Sequence, residues 1–289
     1  PYHYRSKLTP HFPKPRKPKP TDDPGRESSL PVGFLRVGRR QSVIDVPSCP
    51  IATEAINEAL PAARNAVRER ALEAASRKKP RGGTLLLRHS REGVTTDSNE
   101  VVSEAIGERV FQFRAGDFFQ NNPFILPLLV DYVISEAARG GARFLLDAYC
   151  GVGVFALCAA GRFERAVGVE VSAQAVDWAR SNARLNGVAD VEFYIGKAET
   201  LFDGLDLPGA QTVAVIDPPR TGCDTAFLEQ LTAFAPARVV YVSCEPSTQA
   251  RDLRHLMDAG YHVERVQPFD LFPQTRHLEN VVTVARQVD

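Results

Sequence analysis

The chain has 289 residues, enough for one large or two ordinary domains, and its 44% apolar and 24% charged content is ordinary for a soluble globular protein. No apolar run approaches the roughly 18–20 residues of a membrane-spanning helix, and no secretory core is present. Net charge is zero but uneven: residues 1–100 hold 19 Lys and Arg against 11 Asp and Glu, and the remainder carries the matching acidic excess.

Five irregularly spaced cysteines do not form a disulfide framework, so reduced thiols in an intracellular compartment are expected. The chain starts at Pro1 without an initiator Met, which leads us to expect a fragment or a processed form. Residues 2–8 alternate aromatic or apolar side chains with basic ones and read as a strand. Residues 14–29 are rich in proline and charge and read as an extended or disordered loop. Basic excess is densest before Asp22, through Arg5, Lys7, Lys14, Arg16, Lys17 and Lys19. Such a front segment suits a polyanion, or else is a solvated loop. Residues 32–46, with Gly33 and Gly38 between short apolar runs, predict a hairpin, and residues 51–79 predict a helix with Pro61 as a candidate break. Strands are expected at 84–88 and 109–113. Residues 1–115 therefore read as a smaller α+β region, and 116–289 as a second domain.

A different rhythm follows. A helix at 125–138 precedes a strand at 144–147, a glycine-rich turn and a short helix; a second strand spans 166–170. Ser172 is an N-cap for a helix that Asn186-Gly187 terminates. Strands at 191–195, 212–217 and 238–243 alternate with helical segments, which implies a doubly wound, largely parallel α/β sheet. Strands at 261–266 and 280–285 have no helix between them and predict an antiparallel edge.

Ligands of open α/β sheets bind beyond the carboxyl ends of the strands. Three features sit there. Asp147-Ala148-Tyr149-Cys150-Gly151-Val152-Gly153 gives a tight turn with close backbone approach, and Glu170, at the tip of the next strand, can accept from ribose hydroxyls. A third glycine at the dinucleotide spacing is replaced by Ala156, and no Gly-Lys-Ser/Thr follows, so S-adenosylmethionine fits better than NAD or a nucleoside triphosphate. The β-branched run 239–243 ends in Cys244, a candidate nucleophile; Cys223 is its rival, whereas Cys49, Cys150 and Cys158 read as core.

With Phe118-Phe119-Gln120-Asn121-Asn122, Asp217-Pro218-Pro219-Arg220, Ser243-Cys244-Glu245-Pro246 and His277-Leu278-Glu279-Asn280-Val281 in that order, the chain resembles the RNA uridine-C5 methyltransferases. Tyr4-Arg5-Ser6-Lys7-Leu8 and Cys49-Pro50-Ile51 are similar to the tRNA T-loop (position 54) branch, in its eukaryotic, fungal-like form. The resemblance implies a class I S-adenosylmethionine-dependent methyltransferase domain. It implies cofactor contacts from Gln120, Tyr149, Gly151, Gly153, Glu170 and Asp217, with Cys244 as nucleophile and Glu279 as base. Arg220, His277, Arg5 and Lys7 are candidate RNA contacts, and Phe118, Phe119 and Phe272 are either stacking platforms or core. Val154 stands where bacterial relatives often carry Asn. The cysteine-rich iron–sulfur motif of some ribosomal RNA enzymes is missing, so neither cluster nor metal is expected. No obligate protein partner is evident either.

The chemistry needs both residues. A thiolate added to uracil C6 makes C5 nucleophilic, and a base must later remove the C5 proton. The start of the helix near Ser247 and the Arg220 cation are candidates to lower the thiol pKa. For Glu279 the alternative is a surface ion pair with Arg276. Alternatives for the whole chain are a ribosomal RNA uridine-C5 enzyme, an RNA cytosine-C5 enzyme and a non-catalytic tRNA-binding or folding module. The cytosine enzymes carry a cysteine inside the Asp-Pro motif, where Pro219-Arg220 stands here.

Overall fold

The computed structural model describes residues 2–15, 30–76, 81–196, 202 and 205–287, so the basic loop read at 14–29 lies outside the described residues from residue 16 onward. Two compact units divide the chain: 1–102 with 114–121, and 103–113 with 122–289.

The first unit contains β1 (Lys7–Leu8), β2 (His11–Phe12), β3 (Gly33–Arg36), β4 (Arg39–Asp45), α1 (Glu54–Ser76), β5 (Gly83–Thr84), β6 (Leu87–Ser90) and β7 (Gly93–Thr95). Two small antiparallel sheets form, in the orders β1-β6-β7 and β4-β3-β2-β5. The strand expected at 2–8 shortens to Lys7–Leu8, because His3 takes a positive φ and Arg5 makes only an isolated bridge to Ala52. The strand expected at 84–88 is two strands that join different sheets.

Helix α1 is not broken at Pro61. Ile56, Leu60 and Val67 lie on one buried stripe with Leu8, Val32, Leu85 and Leu87, while Pro61 is exposed, so packing on the opposite face holds the helix through the missing donor. Arg64 is buried in the same helix and pairs with Asp45 at 2.5 Å.

Within this unit the segment 115–121 is held by cations. The fully buried Arg88 donates to the Ala115 and Asp117 carbonyls and to Asn121 Oδ1, and Lys7 Nζ donates to the Gly116 and Asp117 carbonyls. Burial and the neighbouring Arg88 guanidinium push the Lys7 ammonium down to about 8. Lys7, a candidate RNA contact in the sequence, is thus engaged in clasping its own chain. Arg5 Nε donates to the Lys7 carbonyl.

In the second unit, β8 (Val101–Ile106) and β9 (Arg109–Arg114) form the connecting hairpin. Then follow α2 (Leu126–Ala138), β10 (Phe144–Ala148), α3 (Val154–Cys158), β11 (Arg165–Glu170), α4 (Ala173–Leu185), β12 (Val191–Ile195), β13 (Thr212–Ile216), α5 (Thr225–Phe234), β14 (Arg238–Ser243), α6 (Pro246–Asp258), β15 (Tyr261–Phe269) and β16 (Glu279–Arg286). The seven-stranded sheet runs β12-β11-β10-β13-β14-β16-β15, parallel through β14, with β16 antiparallel to both neighbours. Strands buried on both faces must be apolar throughout, and every residue of β13 is buried. One face carries Leu146, Ile216, Tyr241 and Val282 against Phe227 and Leu231 of α5 and Leu256 of α6. From the alternate positions, Thr283 donates to Glu136 of α2 and Asp147 accepts from Ala156 of α3.

Ser172 caps α4 by accepting from Ala175 N, and Asn186 ends it, as the sequence predicts. Asn182 and Asn186 also each exchange two hydrogen bonds with the backbone of β9, at Gln112 and Val110. These two asparagines, one helical turn apart, satisfy an otherwise open strand edge.

Candidate active site

Strand order reverses between β10 and β13, and the crevice beyond their carboxyl ends is the expected ligand site of such a sheet. Ala148 pairs with both Val169 and Ile216, and Ile216 with Tyr241, so Tyr149, Glu170, Asp217 and Cys244 all emerge at this edge. Ser243 pairs with Asn280, and one further step in that register sets Cys244 opposite Glu279. The second unit therefore brings together ten predicted positions: Tyr149, Gly151, Gly153, Glu170, Asp217, Arg220, Cys244, His277 and Glu279, with Phe272 beside His277 at 6.5 Å between ring centroids. Gln120, Arg5 and Lys7 belong to the first unit.

The turn after β10 is tightly wound, with positive φ at Tyr149 (63°), Gly151 (53°) and Gly153 (88°). A Cβ on Gly153 would lie 2.8 Å from the Phe193 ring, so only glycine fits there. Tyr149 bears a conformation unfavourable for a bulky residue; its ring packs edge-on against Phe227 at 5.2 Å. Glu170 accepts from Gly151 N at 3.2 Å and from Ser172 N at 2.9 Å. A carboxylate has about four lone-pair directions, so both oxygens can still accept from a ribose. Beneath them Asp147 is fully buried, with Oδ2 on Ala156 N and no partner for Oδ1 among the described residues. A glycine cradle, a ribose acceptor and an orphaned acid fit a nucleoside-bearing cofactor. Asp147 was missed as a site residue; its signal was an acid inside the apolar run Leu145-Leu146-Asp147-Ala148.

Cys244 is half-buried, and the Arg220 guanidinium acts on its thiol. Burial and the Glu279 carboxylate push the thiol above its ordinary value, while Arg220 opposes them. The lowered thiol anticipated from the sequence is thus not the resting state: desolvation outweighs the cation. Glu279 is 3% exposed, which overturns the alternative of a surface ion pair with the exposed Arg276. Burial and Asp217 raise it to about 8, against the pull of Arg220. Arg220 Nη2 also lies 3.4 Å from His277 Nδ1. A carboxylate near 8 is a strong base for proton removal near neutrality.

Other thiols are less suited. Cys223 is buried and pushed up to about 12, chiefly by desolvation, and Cys158, expected in the core, is partly exposed yet also about 12. Of the aromatic candidates, Phe119 is core, Phe118 is 77% exposed instead of buried, and Phe272 is intermediate.

Three raised carboxylates bear on stability. Burial holds Asp147 at about 8, Asp217 at about 7 and Glu279 at about 8, against ordinary values of 3.8, 3.8 and 4.5. The folded state therefore binds more protons than the unfolded one, and the stability this lends is complete below about pH 4 and lost as pH rises toward 8. We predict a lower melting temperature at pH 8.5 than at pH 6, corresponding to a loss on the order of a few kcal/mol. Glu279→Gln should flatten the slope. A melting temperature that rises over that range would refute the burial of these acids.

The sheet has six strands in one direction with the antiparallel β16 inserted next to its edge. A family model described as tRNA (Uracil-5-)-methyltransferase matches residues 67–287. This chain belongs to that family. It is 39% identical to the tRNA (uracil(54)-C(5))-methyltransferase of Schizosaccharomyces pombe, over 99% of this chain and 55% of that protein. Against the Saccharomyces cerevisiae protein of the same name identity is 34%, over 98% and 53%. The chain thus spans about half the length of these curated relatives. Its fold is like that of Pyrococcus abyssi tRNA (uracil-54, C5)-methyltransferase, solved in complex with S-adenosyl-L-homocysteine. The TM-score is 0.74 and identity 21%, covering 98% of this chain and 76% of that one.

Proposed function

We propose that this chain carries the catalytic machinery that methylates C5 of a uridine in tRNA, at position 54 of the T-loop. The observation that carries it is the pairing of Ser243 with Asn280, which sets Cys244, just beyond β14, near the buried Glu279 at the start of β16, whose carboxylate acts on the thiol. Family membership and the names of the two yeast relatives support the substrate. Five free cysteines support a reducing compartment.

The Tyr149–Gly153 turn and Glu170 would hold S-adenosylmethionine, which would supply an electrophilic methyl group and leave as the neutral thioether S-adenosylhomocysteine. Cys244 thiolate adds to uracil C6, forming the C–S bond and leaving negative charge on the ring. Once C5 bears the methyl group, Glu279 takes the C5 proton, the C–S bond breaks toward sulfur, and the ring double bond is restored. Arg220 steadies the thiolate by its charge. The base must leave its stack to reach a strand-tip thiol.

The test is tRNA made with 5-fluorouridine, incubated with the protein and S-adenosylmethionine and run on a denaturing gel. Fluorine cannot leave as a proton, so a protein–RNA band is expected. Methyl transfer to ordinary tRNA without such a band would exclude this mechanism and favour a cytosine or another acceptor. If both are absent, a binding or folding role replaces catalysis.

A further inference from the structure

Helix α6 starts two residues after Cys244 and carries three polar side chains at 248, 251 and 252, on one helical face by their spacing. All three bind the same loop. Thr248 Oγ1 donates to the carbonyl of Arg220 at 3.1 Å. Arg251 Nη2 donates to the carbonyls of Thr221 and Cys223, both at 3.0 Å. Asp252, fully buried, accepts from Cys223 N at 2.8 Å, from Tyr241 OH at 2.7 Å and from Arg251 Nε at 2.8 Å. Tyr241 lies on the strand that ends in Cys244. Gly222 completes the fit: with φ +76°, any Cβ there would lie 2.6 Å from both Arg251 Nη2 and Asp252 Oδ2.

Four hydrogen bonds on four residues, of which Arg220 and Thr221 are exposed and Gly222 and Cys223 buried, exceed what a turn needs, and one of them holds the backbone of Arg220 itself. That loop is tethered at its start by Pro218 and Pro219, and a turn bond from Gly222 N to the Pro219 carbonyl closes it at 2.8 Å. We propose that Thr248, Arg251 and Asp252 are positioning residues that hold the Arg220 guanidinium beside the Cys244 thiol and thereby set the reactivity of the nucleophile. This deepens, and rests on, the assignment of Cys244 as the attacking group. The groups that act on the thiol are Arg220 and Asp217 from the loop after β13 and Glu279 from the start of β16; His277 lies against Arg220, and α6 starts two residues beyond the thiol. Arg220 is the cation that favours its ionised form, and a long side chain contributes fully only where its backbone is fixed.

The experiment is the pH dependence of Cys244 alkylation by iodoacetamide, read on the Cys244 peptide by mass spectrometry, with full chain and neither RNA nor methyl donor. Arg220→Ala should move the alkylation midpoint upward by about one pH unit. Arg251→Met and Thr248→Val should move it the same way, and Thr248→Ser, which keeps the hydroxyl, should stay at wild type. The double variant Arg220→Ala/Arg251→Met should shift no further than Arg220→Ala alone, because the clamp acts through that guanidinium. Midpoints at wild type for both clamp variants, or additive shifts in the double variant, would overturn the proposal, whatever happens to melting temperature. Shifts as expected with no fluorouridine adduct would keep the clamp and remove the uracil chemistry.

Discussion

Glu279→Gln should leave the protein joined to ordinary, unfluorinated tRNA. In the proposed mechanism every step up to methyl transfer uses Cys244 and Arg220, not the carboxylate. Loss of the C5 proton requires a base, and the amide of glutamine is none. The methylated adduct should therefore accumulate as a gel-shifted band, while turnover falls by about 10²–10⁴-fold, the usual contribution of a positioned base. In the wild type, burial and Asp217 raise Glu279 to about 8, so the rate should climb with pH up to that value as the base ionises. The variant should lose this limb. Turnover reduced only a few-fold, with no accumulated adduct, would assign proton removal to another group. The nearest candidate is Asp217, at about 7.

Cys244→Ala should remove both the adduct and turnover, on the order of 10⁴-fold or more, because no other step makes C5 nucleophilic. Binding of S-adenosylmethionine, followed by calorimetry, should stay near wild type. The Tyr149–Gly153 turn and Glu170 belong to β10 and β11, and β13 separates β10 from the strand that bears Cys244. Conserved binding with lost turnover distinguishes a missing nucleophile from a collapsed site. If Cys244→Ala keeps the adduct and Cys223→Ala loses it, the buried thiol is the nucleophile after all. Desolvation that holds Cys223 at about 12 speaks against that outcome.

Much of the sheet was legible because parallel strands covered on both faces leave no choice but continuous apolar residues. The runs at 191–195 and 238–243 coincide with the observed strands. Ser172 and Asn186 marked helix ends through local chemistry that tertiary packing does not alter. Where exposure replaces burial, pattern fades: β8 alternates irregularly and was not foreseen, and β15 runs on to Phe269 across largely exposed residues. Pro61 misled because packing on the far side of α1 outweighs one missing donor. At the site, Cys244 could be read from the abrupt end of an apolar run. Burial of Glu279 could not, since it arises from pairing of β16 with strands on both sides. The α6 clamp was invisible for a similar reason, because Thr248, Arg251 and Asp252 look like an ordinary solvated helix face until the loop they grip is in place.

Because Ser243 faces Asn280 in an antiparallel ladder, nucleophile and base share one ruler, whose marks are backbone hydrogen bonds. The connection between them, through α6 and β15, can change in length without altering their separation. Deletion of a single residue inside β14 or β16 would instead turn one of the two side chains to the opposite side of the sheet. A library of insertions and deletions should therefore show tolerance in the 270–276 segment and abrupt intolerance within the two strands. A circular permutant opened at 273–274 should also keep the catalytic couple in register, since the ladder, and not the chain between them, sets their spacing.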